Sequence, residues 1–109
     1  MTFDEYQAAA RKFAIYPDID SNLAYPTLGL CGEAGEVAEK IKKIFRDEKG
    51  LLTLERREQL KKELGDVLWY LSNLACELAL GLNEVAIDNI QKLTKRKDEG
   101  KIKGSGDNR

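Results

Sequence analysis

LCGEAGEVAEKIKKIFRDEKGLLTLERREQLKKELGDVLWYLSNLACEL, residues 30–78, decides how this chain folds. Its first half carries apolar residues at Leu30, Ala34, Val37, Ile41 and Ile44, and its second half at Leu60, Leu64, Val67, Leu71, Leu74 and Leu78. Both rows step by alternating threes and fours, the spacing of a helix face that packs along another helix. The connection between them is short and contains Gly50. A connection of that length sends the second helix back along the first. The fold predicted is all-α: an antiparallel helical hairpin with flanking helices, forming a four-helix-bundle core on oligomerisation.

Working outward, Thr2 and Glu5 have the spacing of a capping box, so a helix is predicted from residue 3 to about residue 14. Residues 16–22 read as a loop. The second helix is expected from Ala24 or Pro26 to about Asp47, ended by Gly50. Thr53 caps the third, which should run to about Leu80 and stop at Gly81. Asn83 is the expected cap of the fourth, with Leu82 and Ile87 as a hydrophobic staple and an end near Gly100. This divides the chain into an all-α domain over residues 1–100 and a polar tail over 101–109, expected to be flexible alone.

With 18 basic and 19 acidic side chains there is no basic excess, so nucleic acid is not an expected partner. No apolar run approaches the ~20 residues that span a bilayer. Asp4 and Glu5 stand where a secretory leader would be basic, so no membrane and a cytoplasmic location are expected. Cys31 and Cys76 lie far apart in apolar helical segments and read as two buried free thiols. The absence of histidine excludes Ser-His-Asp and Cys-His nucleophiles and the Glu-x-x-His di-iron bundle. Any metal must be held by oxygen, so it is a hard cation such as magnesium, manganese or calcium.

The acids fall in a pattern. At roughly 100° per residue, Glu33 and Glu36 lie about 60° and 120° to one side of the first apolar row, and Glu63 and Asp66 lie at similar angles from the second. Antiparallel neighbours are related by a two-fold axis, so equal offsets land on the same edge of the seam. Both pairs are also about equally far from the turn. Four carboxylates converge, and their mutual repulsion calls for a compensating charge, which a divalent cation supplies. The competing reading is a solvated face neutralised by Lys40, Lys42, Lys43, Lys61 and Lys62. Glu39 falls opposite the row and should face solvent.

The blocks Gly32-Glu33-Ala34-Gly35-Glu36-Val37-Ala38-Glu39 and Lys62-Glu63-Leu64-Gly65-Asp66-Val67-Leu68-Trp69 resemble the MazG-like nucleoside triphosphate pyrophosphohydrolases, whose signature is E-E-x-x-E followed by E-x-x-D. The resemblance covers about residues 3–100, with Gly32 standing at the first acid of the signature. It implies magnesium (with manganese as a substitute) held by Glu33, Glu36, Glu63 and Asp66. It further implies cleavage of (deoxy)nucleoside triphosphates between the α- and β-phosphates, for nucleotide-pool control or house-cleaning. Glu33 or Glu36 is the expected group that orients water.

Asn89, Lys92 and Arg96 share a roughly 60° sector of the fourth helix, and the family has a similar run facing the phosphates. The alternative for them is a cationic helix end that complements the macrodipole. Gln7 and Trp69, or Tyr70, are the candidates for contact with the base. The ending Gly104-Ser105-Gly106-Asp107-Asn108-Arg109 resembles the C-terminus of some short MazG-like proteins. A dimer or tetramer is expected, because a domain this small buries little surface alone. The alternatives are a related dUTPase or phosphoribosyl-ATP pyrophosphohydrolase, or a non-catalytic helical adaptor.

Overall fold

The computed structural model describes residues 1–109 and contains four helices and no strand: α1 (Phe3–Arg11), α2 (Ala24–Glu48), α3 (Leu54–Glu77) and α4 (Leu82–Asp98). Thr2 closes the capping box on α1, accepting from the Glu5 amide while the Glu5 carboxylate accepts from the Thr2 amide. Thr53 caps α3 through the Arg56 amide. At the start of α2 the capping side chain is Asn22, whose Oδ1 accepts from the Tyr25 amide at 2.9 Å.

Three helix ends differ from the sequence expectation. α1 stops at Arg11, because residues 12–14 tighten into i→i+3 turns that swing Tyr16 back beneath the helix. α3 stops at Glu77 rather than near Leu80, because Ala79 takes the left-handed conformation (φ 56°). α4 begins at Leu82, so Asn83 is not its cap. Asn83 instead accepts from the Asp4 amide at 3.2 Å, and Asp4 accepts from the Asn83 amide at 2.9 Å. Each helix thus satisfies an orphan donor of the other, and the start of α4 is pinned to the start of α1. The staple does not form either: Leu82 is buried, whereas Ile87 is 54% exposed.

α2 and α3 form the antiparallel hairpin. Its seam is rotated toward the acids relative to the sequence reading. Arg56 meets Glu48 at 2.8 Å, Lys40 meets Glu63 at 3.4 Å, and Tyr70 lies so close to Gly29 that a Cβ there would overlap its ring. Ile41, Phe45, Leu64, Leu71 and Leu78 consequently face outward on this chain. The thiols follow the same correction. Cys31 is exposed, and Cys76 is half-buried beside the Gln7 amide, so neither is a core thiol.

α1 packs on α3 on the acid side of the hairpin, and α4 packs mainly on α1. One buried carboxylate ties this arrangement together. The Glu77 side chain has no exposed surface and accepts from the Asn22 amide (2.6 Å), the Arg11 guanidinium (2.6 Å), the Tyr16 hydroxyl (2.9 Å) and the Asp20 amide (2.9 Å). Burial alone would raise its pKa, but the donors outweigh it and hold the group at about 2. A depressed carboxylate pKa stabilises the fold above the unfolded value near 4.5 and loses that contribution as pH falls toward 2. Glu77→Gln is therefore expected to lower the Tm at pH 7 by roughly 10 °C and to flatten the acid limb of the Tm–pH curve. Thermal melts across that range check it, and an acid limb unchanged in the variant would assign the dependence to other groups.

Candidate metal and nucleotide site

Glu33 on α2 and Glu63 and Asp66 on α3 each bring a carboxylate oxygen within 4.8 Å of the others. Glu33 and Glu63 are half-buried, whereas Asp66 is exposed. Helix spacing sets this geometry: Glu63 and Asp66 are one turn apart on α3, and Glu33 reaches them across the seam from the α2 end opposite the turn. Glu36 lies one further turn along α2, exposed and outside the tight triad, yet near enough for its charge to act on Glu33.

Burial raises the Glu33 pKa, and repulsion from Asp66, Glu63 and Glu36 pushes it the same way. Lys40 on Glu63 is the cation within ion-pair distance of the triad. Lys40 is one of the five lysines of the competing reading; three of the others are engaged elsewhere, Lys42 and Lys43 with Glu39 and Lys61 with Glu58. Glu39 is accordingly part-buried rather than fully solvated. The triad offers only oxygen donors, at a mutual spacing one ion can bridge. That donor set fits a hard divalent cation.

Aromatic side chains flank the acids. Burial raises the pKa of the Tyr6 phenol, with Asp66 adding to it. Burial likewise raises that of Tyr70, with Tyr25, Glu33 and Asp66 adding. Tyr16 stacks on Tyr25 at 4.8 Å, Tyr25 leans on Tyr70 at 6.4 Å, and Trp69 meets Tyr70 edge-on at 5.0 Å. These four rings, with Phe13 and neighbouring residues, line an open cleft of about 320 Å³.

The remaining candidates divide. Trp69 forms part of the aromatic wall, with its indole N–H donated to the Ala10 carbonyl at 3.3 Å. The amide of Gln7 is fully engaged inside the fold, donating to Leu80 O and Cys76 Sγ and accepting from the Leu82 amide. Asn89 lies at the end of an apolar groove between α4 and α3 that includes Leu68 and Leu71. Lys92 and Arg96 lie further along α4 and hold Asp107 of the tail. The triad is thus assembled within one chain, whereas the α4 cations stand apart from it on a helix without extensive contact to α2 or α3.

Tyr6, Tyr16 and Tyr25 were not singled out from the sequence, and neither was Glu77. An available signal for Glu77 was its place three turns beyond Asp66 on one face of α3, where an acid must be satisfied internally. The tyrosines gave no comparable signal, because the loop of residues 12–23 that gathers them has no periodicity.

The family model described as the MazG nucleotide pyrophosphohydrolase domain matches residues 23–100, a span containing all four motif acids and the whole of α4. The "Gene 37 protein" of Mycobacterium phage L5 is 54% identical over 114 aligned residues, covering 100% of both chains. No solved structure matches.

Proposed function

The chain belongs to the MazG nucleotide pyrophosphohydrolase family, and from that premise we propose that it hydrolyses (deoxy)nucleoside triphosphates to monophosphate and pyrophosphate with magnesium. The observation that carries this reading is the carboxylate triad, drawn from two helices inside the matched span, at the positions where the sequence resembles the family's signature. Glu33, Glu63 and Asp66 would hold the cation, with Glu36 completing the set from the next turn. The bound metal would supply positive charge to the phosphate oxygens as a Lewis acid.

The chain's own groups do the rest. Glu33 or Glu36 would orient the attacking water. That carboxylate takes a proton from the water that attacks the α-phosphorus. The bond from that phosphorus to the bridging oxygen breaks, and pyrophosphate leaves with the bonding pair. Lys40 limits the excess negative charge on Glu63. The cleft faced by Tyr25, Trp69 and Tyr70 lies next to the acids and offers ring faces for a base. Lys92 and Arg96 would take the departing phosphates, reaching acids of a second subunit in the assembled enzyme.

A panel of (d)NTPs, including dUTP, and phosphoribosyl-ATP tests the reading. With magnesium in ¹⁸O-labelled water, the label is expected in a nucleoside monophosphate, together with unlabelled pyrophosphate. Orthophosphate and a diphosphate as first products would place the cut at the wrong bond and overturn it.

A further inference from the structure

The C-terminal segment folds back on α4. The Arg109 guanidinium donates to the carbonyls of Lys101, Ile102 and Gly106, closing the segment into a loop. Two glycines make this possible. A Cβ on Gly104 would stand 2.5 Å from Arg109 Cδ, and Gly106 has φ 79°. The loop presents Asp107 to Lys92 and Arg96, which are one helical turn apart. Asp107 Oδ1 lies 3.1 Å from Lys92 Nζ and 3.2 Å from Arg96 Nη2. Arg96 Nη2 also donates to the Asp107 carbonyl at 3.0 Å.

Three features show how this contact can be exchanged. Only one Asp107 oxygen is engaged, at distances longer than the 2.7–2.9 Å usual for charge-assisted bonds. The Asp107 side chain is 82% exposed, so solvent and solutes reach it freely. Arg96 is only 6% exposed, and its buried Nε has no hydrogen-bond partner. A buried guanidinium with an unused donor is a costly arrangement, and it marks a fork that a single carboxylate oxygen does not saturate. A phosphate group carries more charge and three acceptor oxygens, and it suits such a fork better.

We propose that the C-terminal segment is an internal phosphate mimic, with Asp107 occupying the Lys92–Arg96 anion site until a nucleotide polyphosphate displaces it. The idea rests on the assignment of those two cations to phosphate under the proposed function. Release of the segment is then coupled to substrate entry, and the apparent affinity is reduced by the fraction of chains in which the segment is docked.

The test uses the full chain, Asp107→Asn and, as a control of equal charge change, Asp98→Asn. Inorganic pyrophosphate is titrated calorimetrically without metal, and amide exchange of residues 101–109 is followed. Asp107→Asn is expected to tighten pyrophosphate binding roughly three- to tenfold, as removal of one partly exposed competing ion pair allows. Asp98→Asn should leave binding unchanged. Pyrophosphate should accelerate exchange of the Gly104 amide, which donates to the Lys101 carbonyl within the docked loop.

Equal or weaker binding by Asp107→Asn, equal tightening by Asp98→Asn, or exchange indifferent to pyrophosphate would make the segment a structural brace and overturn the proposal. Absence of pyrophosphate binding in every variant would overturn it too. If no nucleotide is hydrolysed yet pyrophosphate still releases the segment, the proposed activity falls and the mimic stands. If hydrolysis proceeds and Asp107→Asn leaves KM unchanged, the mimic falls and the activity stands.

Discussion

Replacing Glu63 and Asp66 together by Gln and Asn is expected to reduce kcat/KM by about three orders of magnitude or more, since metal charge stabilisation is worth several kcal/mol. Magnesium is expected to raise the Tm of the wild type, and the same double variant should lose that rise. The amides keep the size of the side chains and remove the charge from two corners of the triad, so the cation loses most of its attraction. Metal bound to the folded state alone stabilises by about 1.4 kcal/mol at ten times its Kd, which is roughly 5–10 °C for a domain of this size.

Without metal the order reverses. Glu33 is strained by burial and by Asp66, Glu63 and Glu36, so removing two of those charges should leave the metal-free variant at least as stable as the metal-free wild type. A solvated acidic face predicts otherwise: no metal response in either protein. That result, from scanning calorimetry with and without millimolar magnesium, would reject the site.

This crossing of effects depends on a convergence that periodicity predicted for four acids and that the fold gives for three, leaving Glu36 outside. Glu33, Glu63 and Asp66 meet because two rows of alternating spacing and one short loop fix both the angle and the height of each residue, and these are local properties of sequence. The same reasoning was less accurate about the apolar rows themselves. It put Leu64, Leu71 and Leu78 at the hairpin seam, where the folded chain puts Glu63 and Tyr70 closer in and leaves the leucines between 37% and 56% exposed. A helical wheel finds an apolar stripe but not which of two neighbouring faces meets which partner. Gly29 decided that here, by admitting the Tyr70 ring against the α2 backbone.

Long-range polar contacts were the least legible. Asn83 has the composition and position of a helix cap, yet its side chain serves α1, because Asp4 lies opposite it. Glu77 is a plain helix acid in one dimension. It becomes the centre of a buried network only once residues 16–22 fold over it. The contacts of the tail, residues 101–109, were not legible either: its glycines permit the close approach and positive φ that its folded form requires.

The exposed leucines lead to the second large effect, on assembly. The chain exposes 7957 Å², whereas a compact monomer of its mass exposes roughly 6,100 Å². Its radius of gyration is 16.8 Å, against about 13 Å for a compact chain of this length. An excess near 1,900 Å² per chain is on the scale of an obligate interface. The exposed apolar positions of the hairpin, Ile41, Phe45, Leu64, Leu71 and Leu78, suit a second hairpin related by a two-fold axis.

Light scattering coupled to gel filtration is therefore expected to give a mass of two or four times 12.3 kDa at micromolar concentration. Leu64→Glu with Leu71→Glu should give monomers, because each substitution enters a symmetric interface twice and an apolar anchor is worth about 2 kcal/mol or more. Both positions are exposed on the isolated chain, so helical content should survive. Activity should not survive if α4 of one subunit serves the acids of another. Mixing Lys92→Ala chains with Glu63→Gln/Asp66→Asn chains tests that sharing directly: mixed oligomers should regain turnover that neither parent has. A wild type that runs at 12.3 kDa with full activity would remove both the assembly and the shared site.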